Sequence, residues 1–194
     1  MIRKVKPMEG GPTPSKTSKR FSIEGHDLIL KAIRFADKKH KGQKRKVSGS
    51  EYITHPIIVS FIAASMKRSK NLVSLICASI LHDTIEDTTA TYEQLLGIFG
   101  MKIASLVFEL TSDPKEIESV GKLEYLKRKM LGMSSYGLFL KLCDRLSNIL
   151  DAPSEKQIHE TISILEFLKR SRKLSKSHKA VIQEIEHAIS MKEQ

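Results

Sequence analysis

From Phe21 onward, apolar residues recur at intervals of three and four, the spacing of one face of an α-helix. In Gly25–Lys41 the recurring positions are Leu28, Ile29, Ala32, Ile33 and Ala36, and Gly42 is placed to end the helix. A polar loop, QKRKVSGSEYIT, follows over residues 43–54. The pattern then predicts a second helix from Pro56, a good first-turn residue, to about Lys67. A third, from about Leu72 to His82, is apolar on nearly all sides and belongs at the centre of a core. Thr91, with Gln94 three residues on, offers a capping box to a helix that ends near Gly100. The next runs to about Thr111, and further helices read as Val120–Leu131, Ser135–Asp151, Glu155–Arg170 and Ser175–Lys192. No stretch alternates with period two, and no repeat of roughly 20–50 residues is present. The expectation is an all-α, single-domain helical bundle of about eight to nine helices.

Residues 1–20 break this pattern. They combine Pro7, Pro12, Pro14, Gly10 and Gly11 with scattered Lys, Arg and Ser, as a disordered basic N-terminal arm does. That leaves 21–194 as the folded domain. With 40% apolar and 28% charged residues the chain reads as globular. No apolar run reaches the roughly 18 residues needed to cross a bilayer, and the opening MIRKVKPMEGG lacks the apolar core of a signal peptide. A cytoplasmic protein with no membrane attachment is expected. Cys77 and Cys143 both sit in apolar stretches and read as buried, inert thiols. The formal net charge of +11 favours an anionic partner: nucleic acid, a membrane surface or a phosphorylated small molecule.

The strongest chemical signal is LHDTIEDT, residues 81–88. An apolar helix ends in His82 and Asp83, with Glu86 and Asp87 close behind. A divalent ion needs neutral imidazoles and carboxylates that converge on a point. It can bind a phosphoryl oxygen and lower the pKa of water, while a separate carboxylate orients or deprotonates that water. Two further ligand candidates stand out. His55 precedes Pro56 at a helix entry. Asp144, in KLCDRLSN, lies within an apolar amphipathic helix, where a bare buried carboxylate is costly. Taken singly, His55 also reads as a helix-entry polar residue, and Asp144 as the partner of Lys141 or Arg145.

In order, H…HD…D is the pattern of the HD superfamily of helical metal-dependent phosphohydrolases. Around it, ADKKHKGQKRK (36–46), YITHPIIV (52–59), TYEQLLGIFGMKIASLV (91–107), LTSD (110–113) and KLCDRLSN (141–148) extend the match. Over about residues 25–170 the chain resembles the hydrolase domain of the RelA/SpoT family, and in particular the small single-domain alarmone hydrolases. The resemblance implies one divalent ion, typically manganese (Mn2+), on His55, His82, Asp83 and Asp144. It implies that Glu86 and Asp87 position and activate the attacking water. It further implies that Arg45, Lys46 and Asn148 contact a guanine nucleotide, and that the reaction removes the 3′-pyrophosphate of (p)ppGpp to give GDP or GTP. The residues agree: a basic loop, Lys44–Lys46, precedes His55, and Arg can stack on a base as well as pair with phosphate.

Some positions depart from the family pattern. Ser147 stands where many relatives have His, Cys143 where they have Ala, and Asp151 where the long enzymes usually have Thr. The loop between Lys46 and Tyr52 is one residue longer than in many long enzymes, and the stretch after Glu160 lacks the usual Tyr-Ala-Pro. These departures bear on nucleotide specificity more than on catalysis. The chain ends at Gln194, so no synthetase or regulatory region is expected. Two other readings stay open. One is an HD phosphohydrolase acting on another phosphorylated nucleotide, such as a nucleoside monophosphate or NADPH. The other is a non-catalytic module that binds nucleotide or RNA. A small guanine nucleotide, rather than nucleic acid, is the expected partner, and the oligomeric state stays open.

Overall fold

Most of the long helices begin where the sequence supplies a short oxygen-bearing side chain. The computed structural model describes residues 21–46 and 48–192. Ser22 Oγ accepts from Gly25 N at the start of α1 (Ile23–Lys39). Thr91, Asp113, Ser134, Ser154 and Ser175 do the same for α5 (Tyr92–Phe99), α7 (Pro114–Val120), α9 (Ser135–Leu150), α10 (Glu155–Ser171) and α11 (Lys176–Ser190). Each such bond satisfies a donor that the first helical turn leaves free. The remaining elements are α2 (Thr54–Met66), α3 (Leu72–Leu81), α4 (Thr84–Asp87), α6 (Met101–Leu110) and α8 (Lys122–Gly132).

The described residues thus form eleven helical segments, nine of them eight residues or longer, and the only β pairing among them is one isolated bridge, Lys44–Glu51. The all-α expectation holds. Two short helices escaped it. α4 lies between the helix expected to end at His82 and the one expected to start after Thr91, and α7 starts at the Asp113–Pro114 pair, a cap followed by a fixed-φ first residue. α2 starts at Thr54, two residues before Pro56, because a proline in the first turn gives up an N–H that has no intrahelical partner. The capping box expected at Thr91 is half made, with Thr91 Oγ1 accepting from Gln94 N at 3.3 Å. The proposed arm, residues 1–20, lies outside the described residues.

Helix α3 is the hub. It carries no charged residue, it is buried from Leu75 through Leu81, and it packs against α1, α2, α6 and α9. Leu75, Ile80 and Leu81 are fully buried, and each such side chain contributes about 1.5–3 kcal/mol by leaving water. α1 approaches α3 closely at Gly25, where an added Cβ would meet Val73 Cγ2 at 3.0 Å. α9 crosses both α2 and α11, with Leu138, Phe139, Leu140 and Leu142 fully sequestered. Where α2, the end of α3 and the middle of α9 converge, the core turns polar.

Candidate metal centre

Three neighbouring helices each bring an ionisable group to this point. His55 comes from the first turn of α2, His82 caps the C-terminal end of α3, and Asp144 comes from mid-α9. All three are buried, and one ligand atom from each lies within 4.8 Å of the others. Asp83, two residues past α3, adds its Oδ2 at 3.0 Å from His82 Nε2 and 3.8 Å from His55 Nε2. Asp144 Oδ1 lies 3.2 Å from His55 Nε2 and 3.7 Å from His82 Nε2. The structure therefore gathers the four residues that the sequence named as ligands.

Hydrogen bonds orient both rings. His82 Nδ1 lies 2.7 Å from the Ser79 carbonyl oxygen, which only accepts, so Nδ1 carries the proton and Nε2 of the neutral ring is a bare lone pair. His55 Nδ1 meets Ser147 Oγ at 3.1 Å. His82 Nε2 is buried and has no hydrogen-bond partner, because the nearby carboxylate oxygens lie outside hydrogen-bond geometry. A buried lone pair facing two carboxylates calls for a cation between them. A proton can fill that place. Burial pulls the His82 pKa down, but the charges of Asp83 and Asp144 outweigh this and raise it to about 10. Burial alone would raise Asp83, yet the cationic His82 holds it at about 2. Asp144 is held well below the carboxylate range, chiefly by Lys141 against the opposing effect of burial. A divalent ion fills the same place better. Two imidazoles and two carboxylates suit a first-row metal, and the outer hydrogen bonds present Nε2 as the ligand atom.

Asp144 faces two ways. Its Oδ1 faces the imidazoles, while its Oδ2 pairs with Lys141 Nζ at 3.0 Å. Asn148, one turn on, donates from Nδ2 to Asp144 Oδ1 at 2.8 Å and accepts from Arg45 Nη2 at 3.0 Å. Arg45 is also paired with Asp151, at 2.8 Å from Nη2 and 2.9 Å from Nε to Oδ2. Glu86 and Asp87 sit on α4 beside the cluster. Glu86 Oε2 accepts from Ser112 N at 2.7 Å, and Asp87 Oδ2 accepts from the Tyr52 hydroxyl at 3.1 Å. Burial, then the Asp83 charge, push the Asp87 carboxyl up from its ordinary range.

These groups line a polar cavity of about 300 Å³ that also holds Lys122, Lys141 and Arg145. A second cavity of about 310 Å³, walled partly by Ile58 and Leu150, shares Arg45 and His55 with the first. Lys46 is the exception among the expected site residues: it is exposed and lines neither cavity. Sequence reasoning passed over Tyr52 as a functional group. Its position three residues before His55 was the available signal.

A helical bundle whose core opens on a mixed imidazole and carboxylate cluster has the architecture of helical metallohydrolases. Residues 32–172 match the family model described as HD domain, and the chain belongs to that family. It is 37% identical over 168 residues to a guanosine-3′,5′-bis(diphosphate) 3′-pyrophosphohydrolase of Spiroplasma citri, covering 81% of this chain and 22% of that protein. It is 34% identical over 128 residues to the guanosine-3′,5′-bis(diphosphate) 3′-pyrophosphohydrolase MESH1 of Danio rerio, covering 64% of this chain and 68% of that one. The chain spans about a fifth of the Spiroplasma relative and of a Mycoplasma pneumoniae relative, at 22% and 19% of their lengths. A solved structure of a metazoan ortholog of SpoT, described as hydrolysing ppGpp, shares the fold with a TM-score of 0.68 at 24% identity, over 82% of this chain and 94% of that one. No helix of the described residues is long and apolar enough to cross a membrane.

Proposed function

We propose that this chain hydrolyses the 3′-pyrophosphate of guanosine 3′,5′-bis(diphosphate) and its triphosphate analogue, using one manganese ion held by His55, His82, Asp83 and Asp144. The orphaned Nε2 of His82, buried against two carboxylates, is the observation that carries the metal assignment. The names of the curated relatives support the substrate. When bound, the ion supplies Lewis acidity toward a phosphoryl oxygen and toward water.

The residues of the chain divide the remaining work. Glu86 and Asp87, beside the ligands and free of them, orient the attacking water and take its proton. The upward shift of the Asp87 carboxyl suits a group that must accept a proton. The water oxygen bonds to the phosphorus next to the ribose, the bond to the ribose 3′ oxygen breaks, and that oxygen takes up a proton. Lys141, Lys122 and Arg145 line the polar cavity and offset the charge of the phosphates. Arg45, which lines both cavities, and Asn148, which lines the first, hold the nucleoside. Lys46, exposed beside them, contributes charge at the rim.

The test is turnover across a nucleotide panel, with and without manganese. Release of pyrophosphate from the guanosine bis(diphosphate), dependent on manganese, supports the proposal. Turnover confined to a nucleoside monophosphate or NADPH overturns the substrate. Salt-sensitive RNA binding with no hydrolysis overturns the enzyme assignment.

A further inference from the structure

The segment before α2 contains three side chains with no part in the mechanism so far: His40, Gln43 and Tyr52. All three close onto α4 and the metal-side carboxylates. The Tyr52 hydroxyl lies 2.7 Å from Asp83 Oδ2 and 3.1 Å from Asp87 Oδ2. Its ring is stacked on His40, with centroids 4.7 Å apart at 26°, and the Arg45 guanidinium lies 5.8 Å from its centre. Gln43 Oε1 meets His40 Nδ1 at 2.8 Å, Gln43 Nε2 donates to the Asp87 carbonyl at 2.7 Å, and Tyr52 N donates to the Gln43 carbonyl at 3.0 Å. One residue therefore holds the backbone of Asp87 while another holds its side chain.

A phenol has a single hydrogen to donate. Here it sits between two carboxylates assigned different tasks, Asp83 toward the ion and Asp87 toward the water. We propose that Tyr52 is a positioning residue: its hydroxyl fixes the spacing and orientation of the Asp83 and Asp87 carboxylates, with His40 and Gln43 holding its ring and the α4 backbone in register. Packing alone does not account for the arrangement, since a phenyl ring would stack on His40 equally well. The hydroxyl instead joins Asp83, beyond the end of α3, to Asp87 at the end of α4. Without that bridge, Asp87 rests on a four-residue helix that is tied to the preceding loop, among the described residues, through Gln43.

The inference rests on the proposed tasks of Asp83 and Asp87, and its test is chosen so that the two can fail separately. Tyr52→Phe keeps the ring and removes the hydroxyl. Three quantities are compared with the parent protein: kcat and KM for the guanosine bis(diphosphate), manganese affinity by calorimetry, and hydrogen exchange of the amides at 84–88. Loss of an outer-shell partner costs 10–100-fold in metal affinity or activity, so kcat and manganese affinity are each expected to fall about tenfold or more. KM should stay within about twofold, because the nucleotide contacts are untouched. The amides at 84–88 should exchange faster while the melting temperature is retained. Parent-like kcat, affinity and exchange in Tyr52→Phe overturn the proposal. A raised KM with unchanged kcat overturns it too, by placing Tyr52 on the nucleotide. If the parent protein turns over no bis(diphosphate), the functional proposal fails, and manganese affinity and amide exchange still decide the role of Tyr52.

Discussion

The two sides of the site are built on opposite principles. On the metal side, His55, His82, Asp83 and Asp144 crowd together with more anionic and lone-pair atoms than they have hydrogens to share, and His82 Nε2 has no hydrogen-bond partner. On the proposed nucleotide side, Arg45 is already paired, with Asp151 at 2.8 and 2.9 Å and with the Asn148 amide oxygen at 3.0 Å. The first arrangement is incomplete without a cation. The second already has its charges paired, and a ligand must compete with that pairing. Unsatisfied buried groups are costly, and a binding energy can be drawn from relieving them. Self-paired groups give selectivity instead, since only a ligand that replaces their bonds gains by displacing them.

The largest effects should come from the incomplete side. His82→Ala or Asp144→Asn is expected to abolish manganese binding and turnover together, read as metal content of purified protein and as kcat. The pH dependence follows from the same cluster. His82 is raised from 6.5 to about 10 in the metal-free protein, so its proton contributes stability that is fully present below about pH 6.5 and is lost as pH rises through about 10. An incoming ion must displace that proton. Manganese affinity should therefore rise about tenfold per pH unit across neutrality, with about one proton released per ion, measured by calorimetry in buffers of different ionisation enthalpy. Affinity independent of pH would mean that His82 is already neutral.

Next in size are the carboxylates beside the ligands. Glu86→Gln or Asp87→Asn should leave metal stoichiometry and melting temperature near the parent values while lowering kcat at least about a hundredfold. Near-normal turnover in both would reduce them to capping residues of α4. On the self-paired side the effects should move to KM. Arg45→Ala is expected to raise KM about tenfold, a loss of about 1.4 kcal/mol, with a smaller change in kcat. A collapsed kcat with unchanged KM would put Arg45 at the reacting phosphorus. The smallest effect is expected from Asp151→Thr. Releasing the guanidinium from this partly buried ion pair should lower KM by about two- to fivefold, the upper end of the scale for a surface pair. A raised KM would mean that Asp151 holds Arg45 in its binding pose.

The helices were legible because their signals are local. The three-and-four spacing in α1, the uninterrupted apolar run of α3 and the Thr91 cap before α5 all act within a few residues of themselves. α4 and α7 were missed because four to seven residues are too few to display a period. The ligand set could be read from order and type, and the i, i+4 placement of Asp144 and Asn148 fixed their shared face. What could not be read were the pairings across the chain. Tyr52 reaches Asp83 over 31 residues and Arg45 reaches Asp151 over 106, distances that no sequence window links. Lys46, adjacent to Arg45, was expected to share its task, yet consecutive residues in a loop point apart, and it faces solvent.

Helix α3 has a consequence for how long an ion stays. Its backbone lies at the centre of the molecule, packed by four other helices, and segments of this kind open only at close to the global cost of unfolding. His82 hangs from the last turn of that segment. Asp83 lies one residue beyond it, at the start of the short, solvent-facing α4. One proposed ligand is thus anchored to the buried hub and its neighbour to a short helix at the surface. Exchange of the ion should then follow the breathing of α4, with His82 as the post from which the centre is re-formed each time it opens.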